Sequence, residues 1–146
     1  MKNIIAVIVV LSIIAGCSGK TGPYEGYYYG ITSTDENGAY TGLYDENDWK
    51  DAAGLSGVKI YPNPYFRAES DLALEYIADA AYDHIEIRFE SYPGFTNLRL
   101  DYHWTMPVTE DSVVIEKGEF GELDSGYYRM YVTINDAVVY GDILIK

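Results

Sequence analysis

Cysteine is nearly absent from this sequence: Cys17 stands alone in 146 residues. That count excludes a disulfide framework and a cysteine metal cluster. Positive charge is also short. Ten Lys and Arg stand against 23 Asp and Glu, leaving a formal net charge of −13. So acidic a chain repels phosphate backbones, which excludes nucleic acid as a natural partner. Histidine stops at His84 and His103. Each alternates with core-type residues and should point to solvent, and two histidines without a spaced partner make a weak metal site, so they read as surface histidines. No P-loop and no dinucleotide fingerprint occurs, and Ser112 and Ser125 lack the glycine-flanked elbow of a nucleophile. The expectation is therefore no metal, no cofactor and no enzyme. Helix-forming Ala and Leu do not dominate either. What is abundant is tyrosine, at 16 residues, which favours strands.

The N-terminus carries a processing signal. Met1-Lys2-Asn3 is a short positive region, and residues 4–14 form an apolar run too short for a comfortable membrane span. The run ends in Ile14-Ala15-Gly16-Cys17. That ending resembles the lipobox of bacterial lipoproteins, a branched apolar residue and two small ones before the cysteine. The resemblance implies cleavage between Gly16 and Cys17 and diacylglycerol on the Cys17 thiol. Paired acyl chains would anchor the protein to a membrane stably. Ser18 follows, not aspartate, which implies an outer-membrane destination where position two sorts lipoproteins. The other readings are an ordinary cleaved signal peptide and an uncleaved anchor.

The chain then divides near Gly57. Residues 1–16 read as the signal peptide, 17–56 as a lipidated tether that becomes partly ordered, and 57–146 as one domain. The tether lacks a sustained apolar period and is biased toward Tyr and Gly, as in Tyr24-Glu25-Gly26-Tyr27-Tyr28. A helical turn or two over 45–53 is expected, with Asp45 or Asn47 as N-cap and Gly54 as its C-terminal stop. Asp35-Glu36-Asn37-Gly38 and Asp45-Glu46-Asn47-Asp48 echo a calcium loop. Their spacing fails the EF-hand pattern, so solvated turns are the reading.

From Gly57 the apolar period is two. Strands are expected over 58–61, 72–77, 85–90, 98–104 and 112–117, and a final hairpin over 127–134 and 137–145 turning at Asn135-Asp136. A helix over 71–83 is the alternative for the second. Both hairpin-turn residues tolerate positive φ. Tyr128, Met130, Val132, Ile134, Val139, Ile143 and Ile145 make the inward set. About seven short strands without a long helix imply an all-β antiparallel sandwich.

Two motifs point to an immunoglobulin-like version. Asp124-Ser125-Gly126-Tyr127-Tyr128 resembles the tyrosine corner of such sandwiches, in which the Tyr128 hydroxyl would tie a loop to a strand. Tyr61-Pro62-Asn63-Pro64 opens the domain, Ser125-Gly126-Tyr127-Tyr128 and a hairpin close it, and Lys146 ends the chain. This order resembles flagellar hook-capping-type immunoglobulin-like modules and the C-terminal sorting domains of type IX secretion. The resemblance implies a sandwich with no family catalytic residues, and a sorting role as one function. After Phe89 the chain departs from the family turn, keeping only Gly94.

The remaining candidate surface is aromatic. Tyr127 and Tyr131 share an outward strand face with Arg129 between them, a residue set suited to a protein or glycan partner. Glu86 and Glu90 also share a face and could flank a sugar in a small hydrolase. The leading expectation is a membrane-anchored envelope lipoprotein whose sandwich is a non-enzymatic binding or structural module.

Overall fold

Alternation of apolar and polar residues becomes seven antiparallel strands. The computed structural model describes residues 30–91, 94–109 and 111–146. The signal segment, Cys17, the Tyr24–Tyr28 stretch, Tyr92 and Pro93 lie outside them. The strands are β1 (Leu55–Tyr61), β2 (Leu72–Ala78), β3 (Tyr82–Ser91), β4 (Phe95–Val108), β5 (Ser112–Ile115), β6 (Gly126–Ile134) and β7 (Ala137–Ile145). One sheet has the order β1-β2-β5 and the other β4-β3-β6-β7. The sheets face each other as a β-sandwich. Among the described residues no helix is long and apolar enough to cross a membrane.

The core follows from the period of two. Leu72, Leu74 and Tyr76 of β2, Ile85, Ile87 and Phe89 of β3, and Tyr128, Met130, Val132 and Ile134 of β6 all face inward and are buried. The alternation at 72–76 forms a strand, not the alternative helix, because a helix would scatter these three side chains around its axis. Tyr76 and Tyr82 hydroxyls bond to each other in the core. Phe120, on a short 3-10 turn (Lys117–Phe120), packs on Tyr65 and Phe89. The Tyr128 hydroxyl donates to the Asp124 carbonyl at 3.0 Å, closing the loop onto β6.

Several local expectations are corrected. The first strand begins at Leu55, with a bulge after Ser56 where Gly57 takes φ 58°. The fifth strand ends at Ile115, and the Lys117 amide donates to Asp71 instead of continuing the ladder. Asn135 alone takes positive φ in the hairpin turn. No helix forms over 45–53. Asp45 Oδ1 accepts from the Asn47 amide at 2.8 Å, a side-chain turn that competes with helix.

Most consequentially, residues 30–54 of the expected tether lie on the sandwich. Ile31, Thr32, Ser33, Thr34, Asp45 and Asp48 are buried there. Asn63, fully buried, pins this segment. Its Nδ2 donates to the Thr32 and Asp142 carbonyls, each at 3.0 Å, and its Oδ1 accepts from the Leu144 amide at 3.2 Å.

Candidate functional site

The docked segment makes a surface that the sandwich alone lacks. Trp49 anchors it. Its amide donates to the Tyr140 carbonyl at 2.7 Å, and its ring lies on Gly141. Gly141 occupies an inward position of β7, and a Cβ there would collide with the indole. Trp49 holds φ 54°, a strained conformation for a non-glycine residue, offset by this bond and this packing. Beside it, Asp48 accepts from the Asp142 amide at 2.7 Å and from the Thr32 amide at 2.8 Å. One carboxylate thus clips the segment to β7.

That clip has an electrostatic signature. Burial raises the Asp48 carboxyl to about 6, against the two backbone hydrogen bonds that favour its anion. Burial also raises Asp142, with the Arg129 ion pair opposing. A carboxyl raised in the folded state binds a proton that the unfolded chain has released. Stability from Asp48 is therefore full below about pH 4 and lost as pH rises toward about 6. The expected slope amounts to about 3 kcal/mol for this one group. Asp48→Asn should flatten that part of the curve in denaturant titrations between pH 4 and 7. An unchanged slope would remove Asp48 as its source.

Above the clip opens a cleft of about 360 Å³ walled by Tyr40, Tyr44, Trp49, Glu46 and Asp51. Tyr40 and Tyr44 stand edge to face at 5.9 Å and are 63% and 68% exposed. The Lys59 ammonium lies 5.8 Å from the Tyr40 ring centre. The indole Nε1 of Trp49 is buried without a partner among the described residues. Tyr44 and Glu46 also line a second cleft of about 380 Å³, with Leu43 and Asp45. Two exposed rings and acidic acceptors are the parts of a site for a polar ligand with apolar faces.

The other residues singled out by sequence occupy varied settings. Tyr127, Arg129 and Tyr131 share the outer face of β6, but Arg129 does not reach outward. Its guanidinium pairs with Asp142 at 2.9 and 3.1 Å and lies 4.9 Å from the Tyr140 ring centre. Burial works against the Arg129 charge, while the Asp142 hydrogen bonds raise its pKa above the ordinary value. Tyr131 lies 5.0 Å under Arg88, and Tyr127 is half exposed. Glu86 and Glu90 both pair with Arg88, at 3.0 and 3.1 Å, and Glu86 also holds Arg99. Their geometry is that of an ion-pair ladder. Asp35 Oδ1 accepts from the Asn37 and Ala39 amides, each at 2.9 Å, so it serves its own turn. Ser112 opens β5, and Ser125 precedes β6. Within Tyr61-Pro62-Asn63-Pro64, Asn63 is wholly buried, whereas Tyr61 donates to Glu75 at 2.7 Å near the surface. Cys17 and Gly16 lie outside the described residues.

No family model matches this chain, and no curated protein does. The functional reading therefore rests on geometry and on motifs. Sequence reasoning passed over Tyr40, Tyr44 and Trp49. The available signal was a tryptophan in an acidic, otherwise unpatterned segment, since nothing local to that segment calls for so large an apolar ring.

Proposed function

We propose that this chain is a lipid-anchored envelope protein whose sandwich is a non-enzymatic module binding a glycan in the tyrosine-walled cleft. The lipobox-like Ile14-Ala15-Gly16-Cys17 supports the anchor, and Ser18 supports an outer-membrane address. The cleft carries the binding role. A sugar ring offers an apolar C–H face to Tyr40 and Tyr44 and hydroxyls to Glu46 and Asp51. Tyrosines supply this contact area at low entropy cost.

The test is fluorescence titration with cell-envelope oligosaccharides in a Trp104→Phe background, which leaves Trp49 as the reporter. Tyr44→Ala should weaken binding about thirtyfold, the loss of an interfacial anchor worth about 2 kcal/mol. Binding that survives both Tyr40→Ala and Tyr44→Ala would sink the assignment.

A type IX-like sorting module is the second reading, and one observation favours it. The opening motif and the chain end adjoin: Tyr65 pairs with Ile145, and the Lys146 amide donates to the Tyr65 carbonyl at 2.9 Å. The intact mass of the protein from its native membrane separates the two. Acylated Cys17 with Lys146 retained fits the anchored module. Loss of the sandwich from the mature mass fits the sorting signal.

A further inference from the structure

We propose that His84, Asp101 and His103 form a binding site for a divalent transition-metal ion of the zinc class. The site is made by strand register. On the outer face of the four-stranded sheet, His84 of β3 stands directly opposite His103 of β4. Directly paired residues have their Cβ atoms close enough for side chains to meet. The two imidazoles stack with ring centres 4.3 Å apart and planes 8° from parallel. Asp101 lies two residues from His103, on the same face. One donor atom from each of the three falls within 4.8 Å of the others.

The geometry suits a small ion. Zinc bonds of about 2.0–2.2 Å at tetrahedral angles hold ligand atoms about 3.3 Å apart. His84 Nε2 and Asp101 Oδ1 already stand 3.1 Å apart. An ion can replace that hydrogen bond with little movement, and the part-exposed rings turn to bring in His103. The Asp101 carboxylate faces both His84 and Arg99 on this exposed sheet face. Arg99 Nε donates to Oδ2 at 3.0 Å and its Nη2 reaches Oδ1 at 3.4 Å, farther than the histidine nitrogen at 3.1 Å. Its charge is shared with Glu86 Oε2 at 2.6 Å. Two nitrogens and one oxygen select zinc, nickel or copper over calcium and magnesium, which require oxygen shells. Three protein ligands leave a coordination position open, and the ion clamps edge strand β4 to β3.

The experiment is a zinc chloride titration of the full chain, followed by NMR of the imidazole protons. The two histidines make that spectrum simple. The expected result is saturation at one ion per chain, with both ring signals moving together. His84→Ala and His103→Ala should each lower affinity at least tenfold while the metal-free proteins keep the wild-type melting temperature within a few degrees. With cobalt(II), the visible spectrum should show nitrogen and oxygen coordination. Ring signals that stay still, affinity undiminished in both alanine variants, or a thiolate-to-cobalt charge-transfer band that places the ion on Cys17 would each overturn the site.

Discussion

Arg129→Met is expected to destabilise the protein by about 3–5 kcal/mol at neutral pH, the cost of breaking a buried ion pair from one side. Asp142 is 1% exposed and relies on Arg129 for both carboxylate oxygens. Methionine fills much of the volume beside Tyr140, so the loss is chiefly electrostatic. Asp48 makes matters worse, because its own carboxylate lies close enough to share the Asp142 amide and to repel the Asp142 charge. The pH dependence identifies the cause. With its partner gone, Asp142 has a folded-state pKa raised still further above the unfolded value. Its contribution is then present at low pH and lost as pH rises through the folded pKa. The gap between Arg129→Met and wild type should therefore narrow on acidification, as read by chemical denaturation from pH 4 to 8. Adding Asp142→Asn should restore much of the loss at neutral pH. A pH-independent gap that the second substitution leaves in place would point to packing instead.

Asn63→Ala should cost about 3 kcal/mol and lower the melting temperature by roughly 10–15 °C. The side chain serves three buried backbone groups: the Thr32 and Asp142 carbonyls and the Leu144 amide. Alanine leaves all three without a partner, and each buried unsatisfied group costs on the order of 1 kcal/mol or more. Asn63→Asp makes the sharper comparison. It keeps an acceptor for Leu144 but aims a carboxylate oxygen at two carbonyls, so it should be at least as damaging as alanine. Because Asn63 holds residues 30–54 to the sandwich, early proteolysis in that segment should accompany the fall in melting temperature. A small change in both measurements would mean that water satisfies these groups.

These two positions differ in how far they could be read from sequence. Arg129 was visible as an outward residue of an alternating strand. Its confinement was not, because Asp142 lies on the partner strand and the Tyr140 ring closes over the pair. Asn63 was visible as part of a motif. Its bonds reach residues 79 and 81 positions away, so no local pattern announces them. The acidic turns at Asp45 and Asp48 read as solvated because charge and small residues usually mean water. Both are instead buried where the segment meets β7. The two histidines were legible as outward residues, but their facing each other depends on a register that includes a bulge between Tyr82 and His84.

The sequence by itself determined the strands and the core. A period of two assigns each side chain to one face, and burial of the apolar face allows one sandwich. Register, docking and convergence were left to the tertiary structure. Only the fold brings Asp48 to the Asp142 amide across 94 residues, sets Trp49 on Gly141 and stacks His84 on His103. The reason is physical. Strand formation answers to neighbours one and two residues away, whereas a cleft, a buried carboxylate pair and a three-donor cluster answer to distances in space that chain position does not encode.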